Sequence, residues 1–540
     1  MRLHVVPPYL AIILAPLFVA VHTALAQAAA PQVQFDGAHY TGIAGPRQGE
    51  VIFKGVPFAA PPVGVLRWRP PEPLAPSGAP RAATVAGPSC PQAPVLIAFR
   101  KGIAAAFGTA NKVDTTVAPT SEDCLTLNIW TAHWNDRRAL RPVMVWFHGG
   151  SNMYGEGSSA EYDGAALARR GVVLVTINYR LGALGFLSHP ALTAESPDKA
   201  SGNYGLLDQI AALQWVKRNI RAVGGDPGLV TIFGESAGSI NVLALMASPL
   251  SKGLFHRAIA ESGTPIGASQ SLVQAEAAGV ALARSLGIDS TADVLAALRR
   301  ASPQAIIAAA GRLVLAGQYT PGPIVDGWVL PQRPGKVFDD GRQNAVPLLI
   351  GSNELEMSTL RTYLPRIPRT TDAYAQWARS TLGMAAPRLL TLYPAATDAE
   401  VDDALVRLTT DLFITCPSRY VARAVAQAGQ PVYLYYFTRV LPGGAKLGAY
   451  HSAEIGYVFG NRASWLPNDA VDDSLAATIG DYWVRFATRG NPNLAGRPEW
   501  PAHDAVSDRS MELGDRVASQ SGVRREACDL VALGLRVQHR

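Results

Sequence analysis

The chain runs to 540 residues, of which 48% are hydrophobic and 17% charged, with 50 Gly and 40 Pro but no collagen-like period. That balance argues against a disordered chain, a fibre or a coiled coil, and for a compact, loop-rich globular fold with ample core. The formal charge is +6, yet Lys supplies 8 of the 48 basic residues and no run of Lys and Arg exceeds two. Nucleic-acid binding is disfavoured on that ground, because phosphate recognition needs clustered cations.

Arg2 and His4 precede an apolar stretch from Tyr9 to Val21, which is followed by small residues ending Ala24, Leu25, Ala26. The stretch is too short to span a bilayer and an A-x-A site follows it, so residues 1–26 are expected to be a secretory signal peptide. Pro7, Pro8 and Pro16 would interrupt the alternative, a buried N-terminal helix. No later stretch approaches membrane-spanning length and the tail Val537 to Arg540 carries no anchor signal, so an exported protein without a membrane anchor is expected. Cys90, Cys124, Cys416 and Cys528 are even in number and lack C-x-x-C spacing, which in an oxidising compartment implies disulfides. Three pairings are open. The sequence contains no N-x-S/T sequon, which leans toward a bacterial periplasm or medium.

From Val143 onward, short apolar runs alternate with helical patterns. Val143–Phe147, Val172–Tyr179, Leu229–Phe233, Ala258–Ala260, Val346–Ile350 and Val432–Phe437 have strand composition, and several are apolar at consecutive positions, as in strands covered on both faces. Leu206, Ile210 and Leu213 share one face of a helix closed by Gly224 and Gly225. Ser290 with Asp293 forms a capping-box signal for a helix through Leu295 and Leu298. Alternating strands and helices predict an α/β fold built on a mostly parallel, doubly wound sheet. Leu272–Arg312 and Ala373–Leu392 have helical period and are read as a helical insertion, about 264–400, near the site of a single domain spanning 27–540. No internal repeat or long linker interrupts it.

Gly234, Glu235, Ser236, Ala237 and Gly238 form the one G-x-S-x-G of the chain. The motif alone is weak, but the apolar run Leu229–Phe233 feeds it and Ser239–Met246 leaves it with helical character, which is the strand, tight turn and helix of a nucleophile elbow. A serine hydroxyl needs a base, and in this arrangement the partners follow in the order Ser, acid, His. Among the downstream histidines, His539 is penultimate and His503 lies near an expected loose end, whereas His451 follows the Val432–Phe437 strand through the loop Pro442–Gly448. His451 is the candidate base. The acid should follow the run Val346–Ile350, where Glu354 and Glu356 both qualify and spacing does not separate them. His148, Gly149, Gly150 and Ser151 directly follow Val143–Phe147, where a loop supplying oxyanion N–H donors belongs, together with Ala237 after the nucleophile. Gly155–Ala160 also fits a dinucleotide G-x-G-x-x-A, but it stands apart from its strand and no acidic partner follows. No cofactor or metal is expected.

These motifs resemble the type B carboxylesterases of the α/β-hydrolase fold, the family of para-nitrobenzyl esterases, bile-salt lipase and the cholinesterases. The resemblance runs from about Phe53 to Asp529. It includes Phe53–Pro73, Ser121–Trp130, the Asn203–Ser239 block with its GGDP turn and GESAGS, Ala449–Gly460 and Asp481–Asn493. It implies Glu356 as the acid, His451 as the base, oxyanion donors at Gly150, Ser151 and Ala237, and the disulfides Cys90–Cys124 and Cys416–Cys528. It further implies a buried carboxylate beside the triad at Glu235, and a structural ion pair between Arg67 and Glu122. The chain departs from the family pattern at Leu355 and Met357, where Asp and Gly are frequent, at Ser151 in place of a third Gly, and at Asn152, where an aromatic is common and a polar pocket wall is therefore expected. Between Cys90 and Cys124 there is no Trp, the residue that would hold a quaternary ammonium by cation–π attraction, so choline esters are not expected substrates.

The function implied is an exported serine carboxylesterase acting on a small-molecule ester and water. Two alternatives remain beside it: a catalytically silent binding or adhesion member of the same fold, and a hydrolase specialised on a bulky natural-product ester.

Overall fold

In the computed structural model, residues 30–75, 78–134, 136, 139–266, 269–288, 293–361 and 368–539 are described. The expected signal peptide, residues 1–26, and Ser290 lie outside them. An eleven-stranded sheet forms the centre. Across it the order is Val517–Ser521, Arg509–Leu513, Val432–Phe437, Leu348–Asn353, Arg257–Glu261, Gly225–Glu235, Arg141–Phe147, Val173–Ile177, Thr126–Thr131, Val51–Pro57 and Ile43–Ala44. From Arg509–Leu513 to Val173–Ile177 every pairing is parallel, and the pairings outside that block are antiparallel. The six apolar runs read from the sequence are all strands of this sheet, with ends shifted by a few residues.

Consecutive apolar residues are explained by burial on both faces. Val143, Val145 and Phe147 pack into one core while the intervening Met144 and Trp146 pack into another, because successive strand side chains point to opposite sides. The helix Tyr204–Asn219 buries Leu206, Ile210 and Leu213 against the first of these cores. Asp293 is itself the N-cap of Val294–Arg300, its side chain accepting from Ala296 N at 2.9 Å, so this helix starts at Val294 rather than nearer Ser290. Within 264–400, the central strand Leu348–Asn353 separates two groups of helices. Leu272–Leu315 supplies Leu282, Leu298 and Ile306 to the sheet core, whereas Tyr374 and Leu389 belong to a separate cluster with Val401 and Leu405.

Two disulfides join Cys90 to Cys124 and Cys416 to Cys528. The first closes a loop that carries the helix Val95–Ala106, and the second ties the helix Cys416–Gln427 to the C-terminal helix Arg525–His539. Loop-closure entropy makes the longer crosslink worth roughly 4 to 5 kcal/mol and the shorter somewhat less. Non-reducing peptide mapping of the protein isolated from an oxidising compartment is expected to return these two crosslinked pairs and no free thiol; a different pairing would contradict the fold around both ends. Arg67 and Glu122 form a partly buried two-point ion pair, at 2.7 Å from Nε and 2.5 Å from Nη2, with Arg67 Nη1 also donating to the carbonyl of Ala301 at 2.7 Å. Among the described residues no helix is long and apolar enough to cross a membrane.

Candidate active site

The strand Gly225–Glu235 passes directly into the helix Ala237–Ala247, and Ser236 is the single residue between them, at φ 56° and ψ −120°. That is a sparsely populated backbone region for a residue with a side chain, and its cost is sustained only by surrounding structure. Gly238 shows why the turn tolerates no bulk there: a Cβ at this position would run into the carbonyl of Phe147. Ser236 N donates to Glu261 O at 2.8 Å, which ties the turn to the neighbouring strand. Ala237 opens the helix, so its N–H has no acceptor within it, and the Ser236 hydroxyl does not cap that end.

The loop His148–Ser151 follows Arg141–Phe147 and lies beside the elbow. Gly149 is packed so closely that a Cβ would meet the Glu235 carboxylate, and Ser151 and Asn152 both sit at φ 55°. The carbonyl of Gly150 accepts from Met153 N and Tyr154 N, which holds the turn. His148 is fully buried and stacked on Tyr179, and burial lowers its pKa to about 4, so it stays neutral at physiological pH. Asn152 is buried too, but its Oδ1 accepts from Asn241 Nδ2 at 2.9 Å and the residue is not among those lining the cavity. The polar wall expected there comes from other residues.

Leu348–Asn353 and Val432–Phe437 are adjacent and in parallel register, so the segments that follow them emerge at the same edge of the sheet. They bring Glu356 and His451 together: His451 Nδ1–H donates to Glu356 Oε2 at 2.6 Å, and Asn353 N–H donates to Glu356 Oε1 at 2.7 Å. Glu356 is fully buried. Glu354 instead points toward Arg524, 4.0 Å away, with 38% of its side chain exposed. His503 is not in a loose end. It is buried, its N–H donates to Val432 O and its Nδ1–H to Arg509 O at 2.9 Å. Val432 begins the strand whose far end leads to His451, which puts His503 at the opposite edge of the sheet.

Glu235 is buried; its Oε1 accepts from Ser452 Oγ at 2.6 Å and lies 3.1 Å from His451 Nε2. His451 therefore bridges two carboxylates. Burial alone would lower its pKa, but the Glu235 and then the Glu356 charge outweigh that and raise it above its ordinary value. Burial pushes Glu235 up, and pushes Glu454 up with help from the Glu235 and Glu356 charges. Glu454 accepts from Asn353 Nδ2 at 2.5 Å and Ser262 Oγ at 3.1 Å. Glu261 accepts from Trp483 Nε1 at 2.8 Å and is raised well above the carboxylate range by burial and then by Glu454. Sequence reasoning missed Glu261, Ser262, Ser452 and Glu454. One signal was present: neighbouring strands end in Glu235 and Glu261, each followed by a serine, and the two glutamates are register partners.

Ser236, His451, Glu235, Gly150 and Ser151 line one cavity of about 110 Å³, whose walls include Phe99, Trp465 and Leu466. Among the described residues of 264–400 only Leu360 reaches it, and its main helical wall is Val95–Ala106. The Gly155–Ala160 loop is held by structure: Gly155 N donates to Gln92 Oε1 at 2.7 Å and Gly157 N to Asn178 Oδ1 at 2.8 Å. Among the described residues no group of three or more His, Cys, Asp or Glu is arranged to hold a metal ion.

A serine at a strained strand-to-helix turn, on a mostly parallel sheet, in a cavity lined also by a histidine that is bonded to a buried glutamate, defines an α/β-hydrolase. Residues 30–531 match the carboxylesterase family. The chain is 38% identical over 492 residues to a fumonisin B1 esterase of Sphingopyxis macrogoltabida, covering 88% of this chain and 86% of that protein. It is 35% identical to a liver carboxylesterase of Sus scrofa, over 86% of this chain and 85% of the other. A PNB esterase structure superposes with a TM-score of 0.78 at 32% identity, covering 93% of this chain and 99% of that one. The chain belongs to the carboxylesterase family and is a carboxylic ester hydrolase.

Proposed function

We infer that the protein is an exported serine esterase working through an acyl-enzyme on Ser236. The contact that carries this reading is the 2.6 Å hydrogen bond to the buried Glu356 from His451, which lines the same cavity as the elbow serine. With Nδ1 committed to Glu356, Nε2, which rests 3.1 Å from Glu235 Oε1, is the nitrogen that takes the Ser236 proton as its oxygen attacks the ester carbonyl. The N–H groups of Gly150, Ser151 and Ala237 then hold the oxyanion, His451 protonates the leaving alcohol, and water, activated by the same imidazole, clears the acyl group. Glu235 adds a second negative charge beside the imidazolium. Two disulfides support the exported assignment. A bulky natural-product ester as substrate is favoured by one observation, the relative named fumonisin B1 esterase; a screen of p-nitrophenyl and natural-product esters on the purified protein tests that choice.

The acid assignment is tested by a pair of variants. Glu356→Gln should cut turnover of an activated ester by on the order of a thousandfold, because the amide no longer orients the imidazole or supports its charge. Glu354→Gln should be nearly silent, since its carboxylate is half exposed near Arg524. A larger defect in the Glu354 variant would overturn the assignment.

Glu235→Gln removes a charge that holds the His451 pKa up. A base works only when neutral, so lowering its pKa extends activity downward: the acidic limb of kcat/KM should move to lower pH by about one pH unit, with a reduced plateau. A pH–rate profile with an unmoved acidic limb would show that Glu235 does not act on the base.

A further inference from the structure

The helix Val95–Ala106, inside the Cys90–Cys124 loop, turns one face to the cavity: Leu96, Phe99, Arg100 and Ile103, spaced three or four apart. Three of these make an apolar wall. The fourth brings a guanidinium into the space shared with Ser236, and that guanidinium is fixed. Arg100 Nη2 donates to Ser159 Oγ at 2.7 Å and to Glu161 Oε1 at 2.6 Å, which uses both hydrogens of that nitrogen. Nε and Nη1 have no hydrogen-bond acceptor among the described residues, neither is a fully buried atom, and the residue lines the cavity.

The other charged groups on this wall are engaged. Glu161 is taken by Arg100 and Ser159, and Glu235 by Ser452 and His451. Arg462 gives Nη1 to Asp472 O at 2.8 Å and Nη2 to Asp473 at 2.6 Å, and its guanidinium lies 5.3 Å over the Tyr457 ring. Arg462 Nε also lacks an acceptor, but that atom is fully buried, so Arg100 is the group whose unspent charged donors are not closed off by the protein. Hydrogen bonds from a fixed guanidinium to an anionic oxygen are stronger than neutral ones, and more so where water is partly excluded. We propose that Arg100 is a specificity residue that binds a carboxylate carried by the ester substrate, so that the substrate class is esters bearing an anionic group away from the scissile carbonyl. The proposal rests on the Ser236 esterase reading.

The anion has two possible positions on the substrate, and two ester pairs distinguish them: mono-p-nitrophenyl glutarate against p-nitrophenyl butyrate for the acyl side, and 4-acetoxybenzoate against its methyl ester for the leaving-alcohol side. The quantity read is the ratio of kcat/KM, anionic to neutral, within each pair. Wild type should favour the anionic member in one pair, Arg100→Met should lower that ratio by about tenfold or more, and Arg100→Lys should retain part of it. Ratios unmoved by Arg100→Met in both pairs would overturn the proposal and leave the esterase reading standing. Failure of wild type to hydrolyse any of the four esters would sink the esterase reading instead. If Arg100→Met does not fold, inhibition of wild type decides: glutarate should compete with p-nitrophenyl butyrate and glutaramide should not, and equal behaviour of the two would refute the role of Arg100.

Discussion

Ser236→Ala should abolish ester hydrolysis, by about a millionfold in kcat, while leaving a folded protein of nearly unchanged thermal stability. The loss follows from removing the one atom that becomes acylated. The retained fold follows from what the side chain does not do: its hydroxyl makes no cap to the helix Ala237–Ala247, and alanine keeps the same Cβ in the same strained backbone. Residual turnover should come from oxyanion donors and cavity binding alone. Circular dichroism and steady-state kinetics on one preparation test both halves. Undiminished turnover by the folded variant would end the serine mechanism.

His451→Ala should be nearly as damaging, because nucleophile and base act as a unit. His503→Ala separates base loss from general destabilisation. His503 is equally buried, but its ring hydrogen-bonds only the backbone carbonyl of Arg509, at the edge of the sheet away from Ser236. Its removal should lower the melting temperature, through a cavity and an unmatched carbonyl at Arg509, with kcat close to wild type. A catalytic loss in His503→Ala as large as in His451→Ala would show that the wrong histidine was assigned.

The strands and the elbow were legible because their signals are local. Val432–Phe437 is read to the residue, and the others miss only at their ends, where pairing partners rather than composition decide how far a strand extends. Choice between Glu354 and Glu356 was not local. Both leave the same strand, and what separates them is that Asn353 N–H folds back onto Glu356 while Glu354 N–H bonds to Phe437 O. His503 looked peripheral by its place in the chain, yet it is buried where two strands more than seventy residues apart approach it. Asp293 kept a capping role, since its side chain bonds the helix N–H of Ala296. The buried acids Glu261 and Glu454 escaped notice for a related reason: a carboxylate reads as surface until the fold surrounds it.

Ser236, Glu356 and His451 lie far apart in the chain, yet the strands that lead to them occupy the middle of the sheet, with antiparallel strands at both borders. Border strands have a free hydrogen-bonding side and can fray alone, whereas a central strand opens only with its neighbours. The borders therefore act as a thermal buffer. Warming should loosen Ile43–Ala44 and Val517–Ser521 first, at little consequence to the chemistry, and hydrolysis should persist until the cooperative centre melts.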